Sequence, residues 1–175
     1  MRVCVVARLS NIMAEYLKVN PDYQDRVKEL FENDTKPEIT LEFEIEEHDF
    51  INSGKGSAEL KLTIKRLGVD PAIMRRIAIA AYEAEINIAA HSRGGAMRSN
   101  IFPDYVHIVF KDMGPGIDDL EQAMTPGFST AIDLVREMGF GAGLGLPNIE
   151  RNADIMKLDS EKNKSTQLDV IVFFQ

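Results

Sequence analysis

RRIAIAAYEAEINIAAH, residues 75–91, lies in a longer run that opens with Asp70 and Pro71, and its reading decides the fold. Asp70 can accept hydrogen bonds from the free N–H groups of a helix start, and Pro71 takes the first helical position, where its missing N–H costs nothing. The run therefore reads as one long helix to about Ala90. At 3.6 residues per turn, Ile73, Ile77, Ala81, Ala84 and Ile88 share one stripe, which must face a sheet. Glu83 and Asn87 are four apart and lie one above the other, roughly 80–120° from the centre of that stripe. A carboxylate and a carboxamide are thus held at the edge of the core, where a cleft could begin. Ordinary rim residues would look the same, so the pair gains meaning only from its company.

Upstream of this helix, LEFEIE (41–46) alternates apolar and charged residues as a half-buried strand does. Residues 54–67 carry Ala58, Leu60, Leu62, Ile64 and Leu67 in a pattern open to helix or strand; helix is favoured, with Gly68 as its stop. Downstream, strands are expected at 96–102 and 105–111, turned at Pro103 and Asp104, then a glycine loop, a helix over 144–152, and strands at 154–159 and 166–174. Residues 1–38 hold a short apolar stretch, an amphipathic segment (Ile12, Met13, Tyr16, Leu17) and a helix over 21–33, with no interpretable motif. The expected architecture is α+β: a two-layer sandwich of a mixed, mostly antiparallel sheet with helices on one face. Residues 1–38 are an N-terminal extension and 39–175 the functional domain.

The chain's 175 residues, 45% hydrophobic, suffice for one domain with a proper core. Its longest apolar runs fall far short of a membrane span, and the opening MRVCVVARLS lacks a secretory pattern, so a cytoplasmic location is expected. Cys4 is the single cysteine, and His48, His91 and His107 are scattered, which leaves no cysteine-rich or histidine metal cluster. A net charge of −8 argues against nucleic acid as a partner, because such binding is dominated by cationic contacts to phosphate.

Two glycine motifs supply the company that Glu83 and Asn87 need. In KDMGPGIDD (111–119), a strand ends at Lys111 and Asp112 is followed by Gly114 and Gly116 two apart, a sharp loop whose backbone is open to a ligand or simply to water. In FGAGLGLPN (140–148), Gly141, Gly143 and Gly145 alternate before a helix. This is G-x-G-x-G late in the chain, not the dinucleotide fingerprint that follows a first strand. It supplies backbone N–H groups at a helix N-terminus, suited to phosphate; a helix start packed tightly on a strand is the competing reading.

In this order, E-A-x-x-N on a helix, D-x-G-x-G-I after a strand and G-x-G-L-G-L-P before a helix resemble the GHKL family of ATPases, whose nucleotide-binding layer is the Bergerat fold. Within it the best resemblance is to the anti-sigma-factor and switch serine kinases, and TPGFST (125–130) and GLGLPN (143–148) look particularly like the switch-kinase branch. The resemblance covers about 41–174. Residues 1–38 stand outside the pattern, and AIDLVREMGF (131–140) is an insertion between the two phrases, pointing to a longer lid and a different partner.

The resemblance implies roles for individual residues. Asn87 would help to hold Mg²⁺ and so belongs to both the metal and the nucleotide site, and Glu83 would be the general base. Asp112 would accept a hydrogen bond from the adenine amino group, with Gly114, Gly116 and Ile117 passing close to the base. Gly141, Gly143, Leu144 and Gly145 would cradle the phosphates of ATP. Residues 124–140 would form a lid in which Ser129 and Thr130 contact phosphate, and His91, one turn beyond Asn87, would line the cleft or simply end its helix. The implied activity is transfer of the ATP γ-phosphate to a serine or threonine of a STAS-domain anti-sigma-factor antagonist or related regulator. A sigma factor and a second copy of the chain are further candidate partners. The alternative is a regulatory binding module controlled by nucleotide. A histidine-kinase catalytic domain fits less well, since no dimerisation helix pair with a phosphoacceptor histidine precedes the motifs.

Overall fold

The structure, a computed structural model, describes residues 3–4, 14–32, 35–130 and 141–175. The expected lid insertion 131–140, and Ile12 and Met13 of the amphipathic segment, lie outside the described residues. The strands are β1 (Val3–Cys4), β2 (Ala14–Val19), β3 (Ile39–Ile45), β4 (Gly95–Ile101), β5 (Tyr105–Asp112), β6 (Ile155–Ser160) and β7 (Thr166–Phe173). The helices are α1 (Val27–Glu32), entered through a 3-10 turn at Pro21–Arg26, then α2 (Lys55–Arg66), α3 (Pro71–His91), α4 (Leu120–Ala123) and α5 (Gly145–Asn152). The strands form one sheet in the order β1-β2-β6-β7-β5-β4-β3, and every described pairing is antiparallel. The α+β two-layer architecture expected from the sequence is the one observed.

Helices α2, α3 and α5 cover one face. Leu60 and Ile64 of α2, Ile77, Ala81, Ala84 and Ile88 of α3, and Ile149 of α5 share a core with Met97, Ile108, Phe110, Leu158 and Val170 of the sheet. The α3 stripe read from spacing is thus the buried one, and burying its aliphatic side chains is worth roughly 1.5–3 kcal/mol for each large residue. Asp70 caps α3 by accepting from the Ala72 N–H at 2.7 Å. At the other end of α2, Gly68 takes φ +77° as a C-terminal stop.

The opposite face is covered too, at one end. The 3-10 turn and α1 bring Tyr23, Val27, Leu30 and Phe31 onto Leu17, Val19, Ile155, Ile171 and Phe173, with the Tyr23 and Phe173 rings stacked at 3.8 Å. This explains the sequence of β7, which is buried along nearly its whole length: a strand covered on both faces has no polar alternation. It also explains β2. The spacing of Ile12, Met13, Tyr16 and Leu17 looked amphipathic, yet Tyr16 and Leu17 sit on a strand, Tyr16 joining the core beneath the long helices and Leu17 the cluster beneath α1. Strand β2 pairs with β6 along its whole length. Among the described residues, no helix is long and apolar enough to cross a membrane.

Candidate functional site

The site lies between α3, α5, the loop after β5 and the hairpin joining β6 to β7, around a cavity of about 830 Å³. Glu83, Asn87 and His91 enter it from successive turns of α3. Across from them, Gly141, Gly143, Leu144 and Gly145 line the wall at the start of α5. Asp112, Gly116 and Ile117 line the wall after β5, and Ser129 and Thr130 line it from the TPGFST segment. Gly114 is not on the wall. Its part is structural: it adopts φ +94°, and a Cβ there would lie 2.8 Å from the Lys164 carbonyl oxygen.

Helices α3 and α5 meet through the two residues the sequence singled out. The Asn148 side-chain amide donates to Glu83 Oε1 at 2.7 Å. Gly145 leaves room for the Asn87 carboxamide, whose Oδ1 would be 2.5 Å from a Cβ at 145. The close approach at Gly143 is also intramolecular, since a Cβ there would be 2.5 Å from the Phe128 carbonyl oxygen, and Gly127 N–H donates to the Gly143 carbonyl at 2.9 Å. TPGFST is therefore stacked backbone to backbone on the glycine segment.

Asp112 organises the other wall. Its Oδ1 accepts from the N–H groups of Gly114 at 2.8 Å and Thr166 at 2.7 Å. Ile117 N–H donates to Ser160 Oγ at 2.8 Å, and that hydroxyl is 2.9 Å from Thr166 Oγ1, which ties the loop to the hairpin. Sequence reasoning missed Thr166 and the Lys162–Asn163 hairpin tip, which also line the cavity, because EKNKS has no motif. Asn148 was missed although it ends the quoted GLGLPN; its signal was its position one turn past Gly145, facing the Glu83 stripe.

The charge pattern sets what the cavity can hold. Glu83, Asp112, Asp118 and Asp119 are on its walls, and Lys162 Nζ lies 2.9 Å from Asp118 Oδ2. Burial pushes the His91 imidazole below its ordinary pKa, and its Nδ1 lies 3.3 Å from Thr130 Oγ1. The first N–H groups of every helix need acceptors. Asp70 serves α3 and Asp119 serves α4. Gly54, at the start of α2, offers no side chain, but Glu85 reaches over from α3 to accept from Gly56 N–H at 3.0 Å and Ser57 N–H at 2.8 Å. Among the described residues, no side chain caps helix α5, and its start lies on the cavity wall. An anion there would meet N–H donors and the positive end of the helix dipole.

No family model matches the chain. Curated relatives do. It is 31% identical over 111 residues, 61% of this chain and 77% of the relative, to the serine/threonine-protein kinase RsbT of Bacillus subtilis. It is 29% identical over 130 residues, 69% of this chain and 87% of the relative, to an anti-sigma F factor of Clostridium beijerinckii. An anti-sigma F factor of Clostridium perfringens is 28% identical over 125 residues, 67% of this chain and 86% of the relative. The chain belongs to the family of anti-sigma factors and switch serine/threonine kinases that these proteins define.

Proposed function

We propose that this chain is a partner-switching regulator of the GHKL type that binds ATP in the cavity through a Bergerat-type nucleotide layer and transfers the γ-phosphate to a serine or threonine of a partner protein. The observation that carries the reading is the start of α5, on the cavity wall and without a side-chain cap among the described residues, opposite a carboxylate on α3. Phosphate oxygens would meet the N–H groups at Gly145 and its neighbours, and Asp112 Oδ2, which takes no hydrogen bond from the described residues, would accept from the adenine amino group. Glu83 would take the proton of the attacking hydroxyl, and Ser129 and Thr130 would reach the phosphates from the TPGFST side.

The donor set fits Mg²⁺. Among the described residues, no three His, Cys, Asp or Glu side chains are grouped to hold a metal. The Asn87 carboxamide oxygen would be the protein ligand, with phosphate oxygens and water completing the shell, the arrangement this small hard cation favours. Bound there, Mg²⁺ supplies charge neutralisation on the phosphates. The partner in this reading is a STAS-domain antagonist or related regulator, and a sigma factor is the second candidate, as the relatives named anti-sigma F factor suggest.

Incubation with labelled ATP and candidate STAS proteins tests the reading. Glu83→Ala should keep Mg·ATP binding while phosphotransfer falls by ~10²–10⁴, the usual range for removal of a general base. Asn87→Ala should lose the metal dependence of nucleotide binding. A second reading, a nucleotide-controlled binding module without phosphotransfer, is favoured by the relatives named only as anti-sigma factors. It would stand if wild type bound ATP yet phosphorylated no partner.

A further inference from the structure

The contact between α3 and α5 has two rungs. Asn87 packs on Gly145, and Glu83 accepts from Asn148, so residues four apart on α3 meet residues three apart on α5. Glu83 Oε1 is thereby engaged, while Oε2 takes no hydrogen bond from the described residues. A glutamate at a half-buried rim has three side-chain torsions and many ways to turn toward water. Asn148 has two, and its own backbone is fixed in the helix, its N–H donating to the Leu144 carbonyl at 2.8 Å and its carbonyl accepting from Asn152 Nδ2 at 2.8 Å.

We infer that Asn148 is the positioning residue for Glu83: its amide holds one carboxylate oxygen on α5 and leaves the other directed to the acceptor. The inference rests on the reading of Glu83 as the base in phosphoryl transfer. In that step the acceptor hydroxyl, or a water, gives its proton to Glu83 Oε2. Its oxygen forms a bond to the γ-phosphorus as the bond from that phosphorus to the β–γ bridging oxygen breaks, and the electron pair leaves with ADP. Asn148 exchanges no proton; it fixes where the receiving oxygen stands. Because α5 also begins the phosphate-facing wall, one short helix joins nucleotide seating to the orientation of the base.

The test uses the full-length protein, γ-labelled ATP with Mg²⁺, and release of labelled phosphate to water. Asn148→Leu removes the donor at similar volume, and Asn148→Ser, too short to reach Glu83, is the second variant should the first not fold. Either should leave Kd and KM for Mg·ATP within about twofold and lower kcat about tenfold or more, the scale of a lost hydrogen bond to a charged group. Neither should lower kcat further in a Glu83→Ala background. The Asn148 side-chain NH₂ resonances should persist with Mg·ATP bound and move in Glu83→Ala. Wild-type turnover no higher than that of Glu83→Ala would sink the kinase reading and this inference together. Turnover that depends on Glu83 but not on Asn148 would overturn the inference alone, as would loss of ATP affinity in parallel with kcat.

Discussion

Among the described residues, Asp112 receives hydrogen bonds on one oxygen alone, which makes an isosteric substitution informative. In Asp112→Asn the carboxamide oxygen can still accept from Gly114 and Thr166, while an NH₂ group replaces the oxygen proposed to face adenine. The expected result is a melting temperature close to wild type with ATP affinity weakened by ~1–3 kcal/mol, measured by calorimetry. Equal wild-type affinity for ATP and GTP would remove the assignment. Glu85 should show the converse behaviour. It is 1% exposed and holds the start of α2 by accepting from the N–H groups of Gly54, Gly56 and Ser57, so Glu85→Gln, which leaves only one oxygen for these three groups, should cost about 1–3 kcal/mol in urea unfolding and speed amide exchange at Gly56 and Ser57. Its effect on nucleotide affinity should be small, since it lies away from the cavity wall. The sequence carried a signal for this residue: a carboxylate inside the apolar stripe of α3, flanked by Ala81, Ala84, Ile88 and Ala89, has to be buried with partners.

At the scale of elements, what could be read in advance was what local chemistry determines. Strand β3 alternates half-buried and exposed residues as LEFEIE implied, Asp70 and Pro71 open α3, Gly68 ends α2, and the turn at Pro103–Asp104 joins β4 to β5. The glycines of α5 were visible as a motif but their reasons were not, because the atoms that crowd them come from distant chain: Phe128 at Gly143 and Asn87 at Gly145. Two substitutions separate these causes. Gly68→Ala puts a side chain at positive φ with nothing within 4 Å, so only backbone strain of ~1–2 kcal/mol is expected. Gly143→Ala adds a clash with backbone that cannot move aside alone, and should lower the urea midpoint more than Gly68→Ala does. Equal midpoints would show that the TPGFST segment yields freely. The site was legible to a similar degree: Glu83, Asn87, Asp112 and the α5 glycines converge on one cavity, while the hairpin wall at Lys162–Thr166 was hidden in a turn of ordinary composition.

Across the whole molecule, β2 is tied to the C-terminal end of α5. Tyr16 Oη donates to Glu150 Oε1 at 2.5 Å, and Lys18 Nζ donates to the Glu150 and Ala153 carbonyls at the helix C-terminus. Burial, with the Glu150 hydrogen bond second, pushes the Tyr16 phenol well above its ordinary value of 10.0. The folded state therefore favours the neutral phenol: its contribution is fully present below pH 10 and is lost as pH rises beyond it. Burial raises Tyr23 and Tyr105 in the same direction. Tyr16→Phe should accordingly reduce, without abolishing, the fall in melting temperature above pH 10, and an unchanged alkaline limb would show that this tie is not formed. The pairing of β2 with β6 also sets an order of events during synthesis. Ala14 pairs with Ser160 and Val19 with Ile155, so β2 waits for a partner that is made only after β3, β4, β5 and α5. Until β6 and β7 emerge, Leu17, Tyr23 and Phe31 lack the Ile155, Ile171 and Phe173 they pack against, and a nascent chain halted just after α5 would carry both glycine motifs with β2 still without its β6 partner.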